Sequence, residues 1–204
     1  MTHPARPLPG AILLAHLLLG APASAQDRGD PTWPCVQRKV EHLSLGVMWP
    51  HPVPENAAPL PTELDDVAAR LALRRVSEEE AQALVTEVAE TYPDLGVAGY
   101  GQLFQAAFDR IDADRAEVVA GIGRYAGNQA RLAAEIRDLE AEMARLEAAE
   151  APDFDRMDEV EAEMDWRVRV FRDRNRALTY VCESPVLLEQ RAYAVAQMLL
   201  EAAG

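Results

Sequence analysis

Residues 104–146 read FQAAFDRIDADRAEVVAGIGRYAGNQARLAAEIRDLEAEMARL, and side chains suited to burial recur along this stretch at steps of four and three. The stripe comprises Phe104, Phe108, Ile111, Arg115, Val118, Ile122, Tyr125, Gln129, Leu132, Ile136, Leu139, Met143 and Leu146. Only Arg115 and Gln129 place a charge or an amide in it. A four-three rhythm of this length is typical of a long helix that is buried along one narrow seam, as in a coiled coil.

A second helix with the same rhythm follows a short break. Pro152 disfavours helix at the residue before it, and Asp153 or Asp155 can cap a new start. The returning stripe comprises Met157, Val160, Met164, Val168, Phe171, Asn175, Leu178 and Cys182. A short connection makes two such helices antiparallel neighbours, so we expect Gln129 and Asn175 face to face.

These two stripes predict an all-α fold that is built on a long antiparallel, coiled-coil-like helical hairpin. Helix 1 is predicted at residues 97–150 and helix 2 at 151–183. Residues 184–204 are predicted as a separate or kinked C-terminal helix, because Pro185 cannot donate to the helical hydrogen-bond ladder.

The segments before the hairpin are expected to pack at its base. Residues 26–61 are predicted to be an extended arm, because half of the chain's fourteen prolines lie there and fix the backbone. Residues 62–96 are predicted to be a pair of short helices. Ser77 and Glu80 have the spacing of a capping box at the start of the second one.

Residues 1–25 have the features of a secretory signal peptide. Arg6 precedes an apolar run at 11–19, and small residues end at Ala25, where cleavage is expected. The run is shorter than the roughly 20 residues that cross a bilayer, and no later segment of the mature chain is apolar enough. We therefore expect export to the periplasm or secretion.

The composition limits the class of partner. The formal net charge is -14 at pH 7, and an acidic surface of this kind repels nucleic acid. We expect no nucleic-acid partner and no cofactor. No serine has the context of a catalytic nucleophile, and the many carboxylates are typical of solvated helix faces, so we expect no enzymatic activity.

The two cysteines, Cys35 and Cys182, are expected to form a disulfide, because an oxidising compartment favours their pairing. With the hairpin turn near residue 152, Cys182 lies level with three helical glycines, which we interpret as room for the arm. They are Gly121, Gly123 and Gly127. Two free thiols, or a disulfide between chains, are the alternatives.

Two clusters carry the functional hypotheses. A cationic band on the hairpin, formed by Arg131, Arg172, Arg174 and Arg176, is a candidate site for a carboxylate-rich partner or an anionic ligand. Surface pairing of these arginines with Asp165 and Asp173 is the alternative. Arg167 and Arg169 are expected to pair with Glu135 and Asp138 across the hairpin. A second cluster, Cys35, His42, Met48 and His51, contains side chains that bind copper.

The leading hypothesis is an exported, non-enzymatic scaffold or adaptor. It would bind another envelope or secreted protein through its hairpin, which the Cys35–Cys182 disulfide links to the arm. Self-association through the hairpin is an alternative use of the same seam. A periplasmic copper or redox accessory protein that uses the arm cluster is an alternative of a different class.

Overall fold

The computed structural model describes residues 33–54 and 58–204, so the predicted signal peptide lies outside the described residues. Within these ranges the chain is all helical and contains no strand. The helices are α1 (Leu45–Met48), α2 (Thr62–Ala72), α3 (Glu78–Thr91), α4 (Gly96–Glu147) and α5 (Phe154–Ala203). The predicted fold class is confirmed.

Helices α4 and α5 form the antiparallel hairpin, and the order of their cross-links shows the direction. Near the turn, the Arg156 guanidinium donates to Glu142. Farther from the turn, the Tyr125 hydroxyl donates to the Arg174 carbonyl oxygen, with 2.6 Å between the two oxygens. With 52 and 50 residues, the helices are each about 75 Å long at the standard rise. Asp153 caps the start of α5 by accepting a hydrogen bond from the Arg156 amide.

The base of the hairpin is a four-helix cluster in which α2 packs on α4 and α3 packs on α5. Its largest fully buried side chain is Trp49, which stacks on Phe104 with ring centroids 5.4 Å apart. The core of this cluster ends near Ile111 on α4 and begins near Leu188 on α5. Residues between these two points form the shaft of the hairpin, where α4 and α5 pack mainly against each other and the arm contacts the end nearer the base.

Side-chain hydrogen bonds hold the start of α3 and the connection that precedes it. The predicted capping box of α3 is present, because the Glu80 amide donates to Ser77 Oγ and the Ser77 amide donates to Glu80 Oε2. At the connection between α2 and α3, the buried guanidinium of Arg191 donates to the carbonyl oxygens of Leu71 and Val76. Burial lowers the pKa of Arg191, while the nearby Glu78 opposes that shift.

The arm differs from the sequence prediction in one place, since Leu45–Met48 forms a single helical turn. This turn falls in the longest proline-free interval of the arm, between Pro34 and Pro50, where every residue keeps its amide donor. Met48 and Trp49 leave this turn directly into the base core, where they are 8% and 1% exposed.

Helix α5 does not end before Ser184 but continues through Pro185 to Ala203. Pro185 is itself buried at the base, so tertiary packing holds it in the helix despite the hydrogen bond that a proline removes. The residues after it contribute an apolar stripe to the base core, namely Leu188, Ala192, Val195, Ala196 and Leu199. Burial of this stripe outweighs the roughly 3 kcal/mol that proline costs inside a helix.

The glycine that makes room for the arm is Gly101, which the sequence did not single out. A Cβ atom at Gly101 would lie 3.0 Å from Trp49 Nε1 and 3.3 Å from Val53 Cγ2. Gly123 and Gly127 have no atom within 4 Å of a Cβ position, and Gly121 has only the Arg124 side chain at 3.7 Å. The interpretation of these three glycines as space for the arm is wrong.

These environments predict opposite effects for two identical substitutions. Gly101→Ala should lower the free energy of unfolding by about 1–3 kcal/mol, because its methyl group overpacks the Trp49 ring. Gly127→Ala should raise it by about 1 kcal/mol through helix propensity alone. Urea denaturation followed by circular dichroism measures both, and an equal effect of the two variants would contradict the assignment of Gly101.

Candidate functional site

The predicted disulfide joins the arm to the hairpin where the base meets the shaft. Cys35 and Cys182 are bonded with their Cα atoms 5.5 Å apart, and the described residues contain no free cysteine. Gln37 supports the link because its side-chain amide donates to the Cys182 carbonyl oxygen. The Trp33 indole donates in turn to the Gln37 carbonyl oxygen at 2.6 Å.

The arm is attached to α4 at a second place, by Asp112 and Arg115, which lie about one helical turn apart. Arg115 is 5% exposed and donates from Nη1 to the Val40 carbonyl oxygen at 2.6 Å. Asp112 accepts from the Leu43 amide at 2.7 Å, and its other oxygen lies 2.7 Å from His42 Nδ1. The charged residue that interrupts the apolar stripe of α4 therefore binds the arm backbone.

The candidate metal ligands of the arm are already engaged in structural contacts. Cys35 is in the disulfide, His42 faces Asp112, and Met48 is buried in the base core. The His51 ring packs edge-on against Trp49 with ring centroids 6.0 Å apart. Among the described residues there is no group of three or more His, Cys, Asp or Glu side chains that could hold a metal ion. The arrangement gives the copper hypothesis no support.

The buried amide in the seam of the shaft, Gln129, has a different partner from the one that the sequence predicts. Gln129 is buried and donates from Nε2 to the Phe171 carbonyl oxygen at 3.2 Å. Asn175 is exposed and lines a groove on the surface of α5. The expected face-to-face pair of Gln129 and Asn175 is therefore wrong, because Asn175 faces solvent and Gln129 bonds the α5 backbone one helical turn away, at Phe171.

One predicted ion pair across the shaft is present, between Arg167 and Glu135. Arg167 also binds Glu163 at 2.7 Å on its own helix, and the hydrogen bond to Glu163 is the main cause that raises the pKa of Arg167. Its predicted companion Arg169 forms no ion pair among the described residues, and it instead faces solvent on α5.

The four arginines of the predicted cationic band are divided between α4 and α5, and two of them line the same groove. Arg172 and Arg176 line a shallow groove of about 630 Å³ on the surface of α5, and Arg169 joins them there. Arg131 stays on α4, where it donates to Asn128 Oδ1 at 3.2 Å. Arg174 is exposed, but it does not line this groove.

A continuous stripe of exposed residues runs along α5, on the side away from the seam. Its members, at steps of four and three, are Asp155, Glu159, Ala162, Trp166, Arg169, Asp173, Arg176 and Tyr180. We call this set the outer stripe of α5. Two large aromatic side chains stand in it, since Trp166 is 62% exposed and Tyr180 is 75% exposed.

The outer stripe went unnoticed in the sequence because its members are mostly charged. A four-three rhythm was sought only among apolar residues, and the two aromatic residues are fourteen positions apart. The signal that could have found it is the exclusion of Trp166 and Tyr180 from the apolar seam of the returning helix.

A second groove, of about 590 Å³, lies beside the disulfide. Val36 and Gln37 of the arm form one wall, and Leu178, Val186 and Leu187 of α5 contribute apolar side chains to the other. The Val36 side chain is fully exposed, so it is not packed against the rest of the arm or against α5.

The chain matches no known protein family, and comparisons with curated proteins and with solved structures gave no significant match. In the described part of the chain, no helix is both long enough and apolar enough to cross a membrane. The functional argument therefore rests on the geometry of the arm, the shaft and the outer stripe.

The disulfide should contribute strongly to stability, because it closes a loop between residues 147 positions apart. Chain-entropy arguments give an upper value of about 5 kcal/mol for a loop of this size. The double variant Cys35→Ser, Cys182→Ser should unfold at a much lower urea concentration than the oxidised protein. Two reactive thiols in the denatured, unreduced protein would contradict this pairing.

The Arg115 attachment can be tested separately from the disulfide. Arg115→Leu removes a charge-assisted hydrogen bond to the arm backbone, so trypsin should cut after Arg38 about tenfold faster. Gel electrophoresis after reduction would separate the fragments that the disulfide otherwise holds together. Arg124→Leu is the control, since Arg124 is an exposed α4 arginine, and equal cleavage rates in both variants would refute the role of Arg115.

Proposed function

We propose that this protein is an exported, non-enzymatic scaffold that binds another envelope or secreted protein through the shaft of its hairpin. Export is supported by the signal-peptide features of residues 1–25 and by the use of both cysteines in a disulfide, which oxidising compartments permit. The disulfide and the hydrogen bonds that join the arm to the hairpin support the scaffold role, because they leave no reactive thiol among the described residues.

The observation that carries the proposal is the outer stripe of α5. Large aromatic side chains on a protein surface are enriched in binding sites, where they bury apolar area at a low cost in side-chain entropy. Trp166 and Tyr180 are both mostly exposed on the shaft. Their exposure supports the proposal that this face of the shaft binds a partner.

The charges around the outer stripe indicate the chemistry of that partner. Arg169 and Arg172 form no ion pair among the described residues, whereas Arg176 pairs with Asp173 of its own helix. Unpaired guanidinium groups beside an exposed tryptophan favour a surface that presents both carboxylates and apolar groups. This is the kind of partner that the sequence analysis predicted for the arginines.

The structure offers no comparable support for a catalytic site. The best candidate acid, Asp109, lies beside a groove of about 260 Å³ and has its pKa raised by burial and by Asp112. Its neighbour Asp65 in that groove is bound by Arg110 at 2.9 Å. Among the described residues that line this groove, none supplies a nucleophile for Asp109 to activate.

The proposal can be tested in the host cell with a photo-reactive amino acid placed on the full chain. The label replaces Trp166 or Tyr180 on the shaft, and Val47, which is 83% exposed on α1, is the control position. Illumination should join the shaft positions, but not position 47, to one defined exported protein. Deletion of residues 1–25 should abolish the product together with export.

Two results would contradict the proposed function. One is the presence of the full-length, uncleaved protein in the cytoplasm. The other is a shaft label that yields no product at all, or the same products as the label at position 47. A product with the mass of two copies of this chain would favour self-association through the hairpin over a different exported partner.

A further inference from the structure

The two grooves on α5 adjoin each other, because Asn175 lines both of them. The residues that connect them recur at steps of three and four, so they lie on one face of the helix. They are Asp165, Val168, Arg172, Asn175, Thr179, Cys182, Val186 and Gln190. We call this face, together with the arm residues beside it, the trough. At 1.5 Å per residue, the trough is about 38 Å long.

The half of the trough that lies nearer the turn is cationic. Arg169, Arg172 and Arg176 line it, and its two acids are Asp165 and Asp173. Arg176 binds Asp173, whereas neither Arg169 nor Arg172 forms an ion pair among the described residues. Their guanidinium groups are therefore available to carboxylates of another molecule.

The section of the shaft around this half has the same sign of charge on both helices. Residues 118–134 of α4 contain two Arg and no Asp or Glu, and residues 168–182 of α5 contain four Arg and one Asp. The two ranges lie side by side, since Gln129 donates to the Phe171 carbonyl oxygen. Residues 135–167, around the turn, contain thirteen Asp and Glu but four Arg. An anionic group is therefore attracted to the middle of the shaft and repelled near the turn.

The half of the trough that lies nearer the base is apolar and has a preformed wall. Val186 and Leu187 of α5 line it together with Val36 of the arm, and all three side chains are exposed. The disulfide fixes the arm at this point, and the Gln37 amide adds a hydrogen bond to the Cys182 carbonyl oxygen. Because this wall is already ordered, a partner that binds against it meets a low entropic cost.

We propose that the trough binds a linear segment of the partner protein, with an acidic end beside Arg169 and Arg172 and an apolar end beside Val36 and Leu187. This inference rests on the proposed function, because it identifies the element of the exported partner that the hairpin recognises. Charge sets the direction of the segment, since Glu183 lines the apolar half and repels carboxylates there. An extended segment of about 11 residues, or a helix of about 25, spans the trough.

A lipid also combines an anionic group with an apolar chain, but the trough favours a protein segment. Its guanidinium groups, from Arg169 to Arg176, are distributed over about 10 Å of helix and match several carboxylates better than one headgroup. The apolar half is open to solvent, since Val36 is fully exposed. Much of an acyl chain in this half would remain in water, which its hydrophobicity opposes.

The first experiment places a photo-reactive amino acid at either end of the trough, in the full chain and in the host cell. The label replaces Asp165 or Gln190, and mass spectrometry identifies the peptide that each label joins. Both labels should join one protein within a single segment of about 11–25 residues. Acids should outnumber bases in the peptide joined to position 165, and the peptide joined to position 190 should be apolar.

Several results of this experiment would overturn the proposal. They are the opposite order of the two peptides, peptides from two different proteins, a product that contains lipid but no protein, and the absence of any product from both labels.

Substitutions in the cationic half test its role with the label at position 190. The double variant Arg169→Gln, Arg172→Gln should lower the yield of the product at least about fivefold, because the charge-assisted hydrogen bonds to carboxylates are lost. The matched control is Arg137→Gln, Arg145→Gln, which removes the same charge from two exposed α4 arginines that do not line the trough. Equal yields from the two double variants would overturn the role of the arginines.

A single substitution in the arm tests the apolar half with the label at position 165. Val36→Ser should lower the yield at least about threefold, because the partner no longer buries an apolar side chain there. Val47→Ser is the matched control, since Val47 is 83% exposed on α1. Both variants should keep the urea midpoint of the unsubstituted protein, so that a lower yield reports on binding. Equal yields would overturn the assignment of the arm as a wall of the trough.

The outcomes separate this inference from the proposed function. A label at Trp166 that captures one defined exported protein, while the labels at positions 165 and 190 give no product, would refute the trough and retain the scaffold. A protein that stays in the cytoplasm, but whose two trough labels join one segment with an acidic and an apolar end, would retain the trough and refute the exported scaffold.

Discussion

Two helices that pack side by side can bury only one narrow stripe of each, and this geometric constraint shapes the whole molecule. In the base, α2 and α3 add further surfaces, so seam residues such as Phe104 and Ile111 reach 0% exposure. In the shaft, where α4 and α5 pack mainly against each other, Ile136 and Leu139 remain only partly buried. Full burial is therefore less frequent in the shaft, although Ile122 and Val160 also reach 0% exposure there. The hydrophobic contribution is smaller on average, because it scales with the apolar area removed from water.

The arm is located where this stabilisation begins to fall. It is bound at the junction of base and shaft, by the disulfide to α5 and by Asp112 and Arg115 to α4. Both long helices thus receive a contact from the same segment at the point where α2 and α3 no longer cover them. The polar interruption of the α4 stripe at Arg115 is part of this arrangement, since a buried guanidinium needs a carbonyl acceptor and the arm supplies one.

The constraint on burial also explains the character of the outer surface. A shaft of two helices has most of its surface in water, and most of that surface is charged. Exposed aromatic residues are exceptions on such a charged surface. On α5 one of them, Trp166, lies where the acidic residues near the turn give way to arginines.

The sequence by itself determined the features that depend on local spacing and on composition. The stripes at 104–146 and 157–182 specify two long helices and a turn near Pro152, because helical periodicity places those side chains on one face. The Ser77–Glu80 capping box and the Cys35–Cys182 pairing also followed from residue types, since few alternatives satisfy the helix start or the two thiols. These predictions are confirmed.

Only the tertiary structure decided which residues from distant segments meet. The glycine beside the arm is Gly101 and not the group at 121–127, because the position of Trp49 is fixed by the base core and not by the hairpin register. Pro185 stays inside α5 because the base buries the stripe that follows it. Gln129 bonds the Phe171 carbonyl oxygen while Asn175 stays exposed, because a repeating seam does not specify which polar residues meet across it. Repeating patterns fix the face of a helix, whereas register and cross-segment contacts are set by packing in three dimensions.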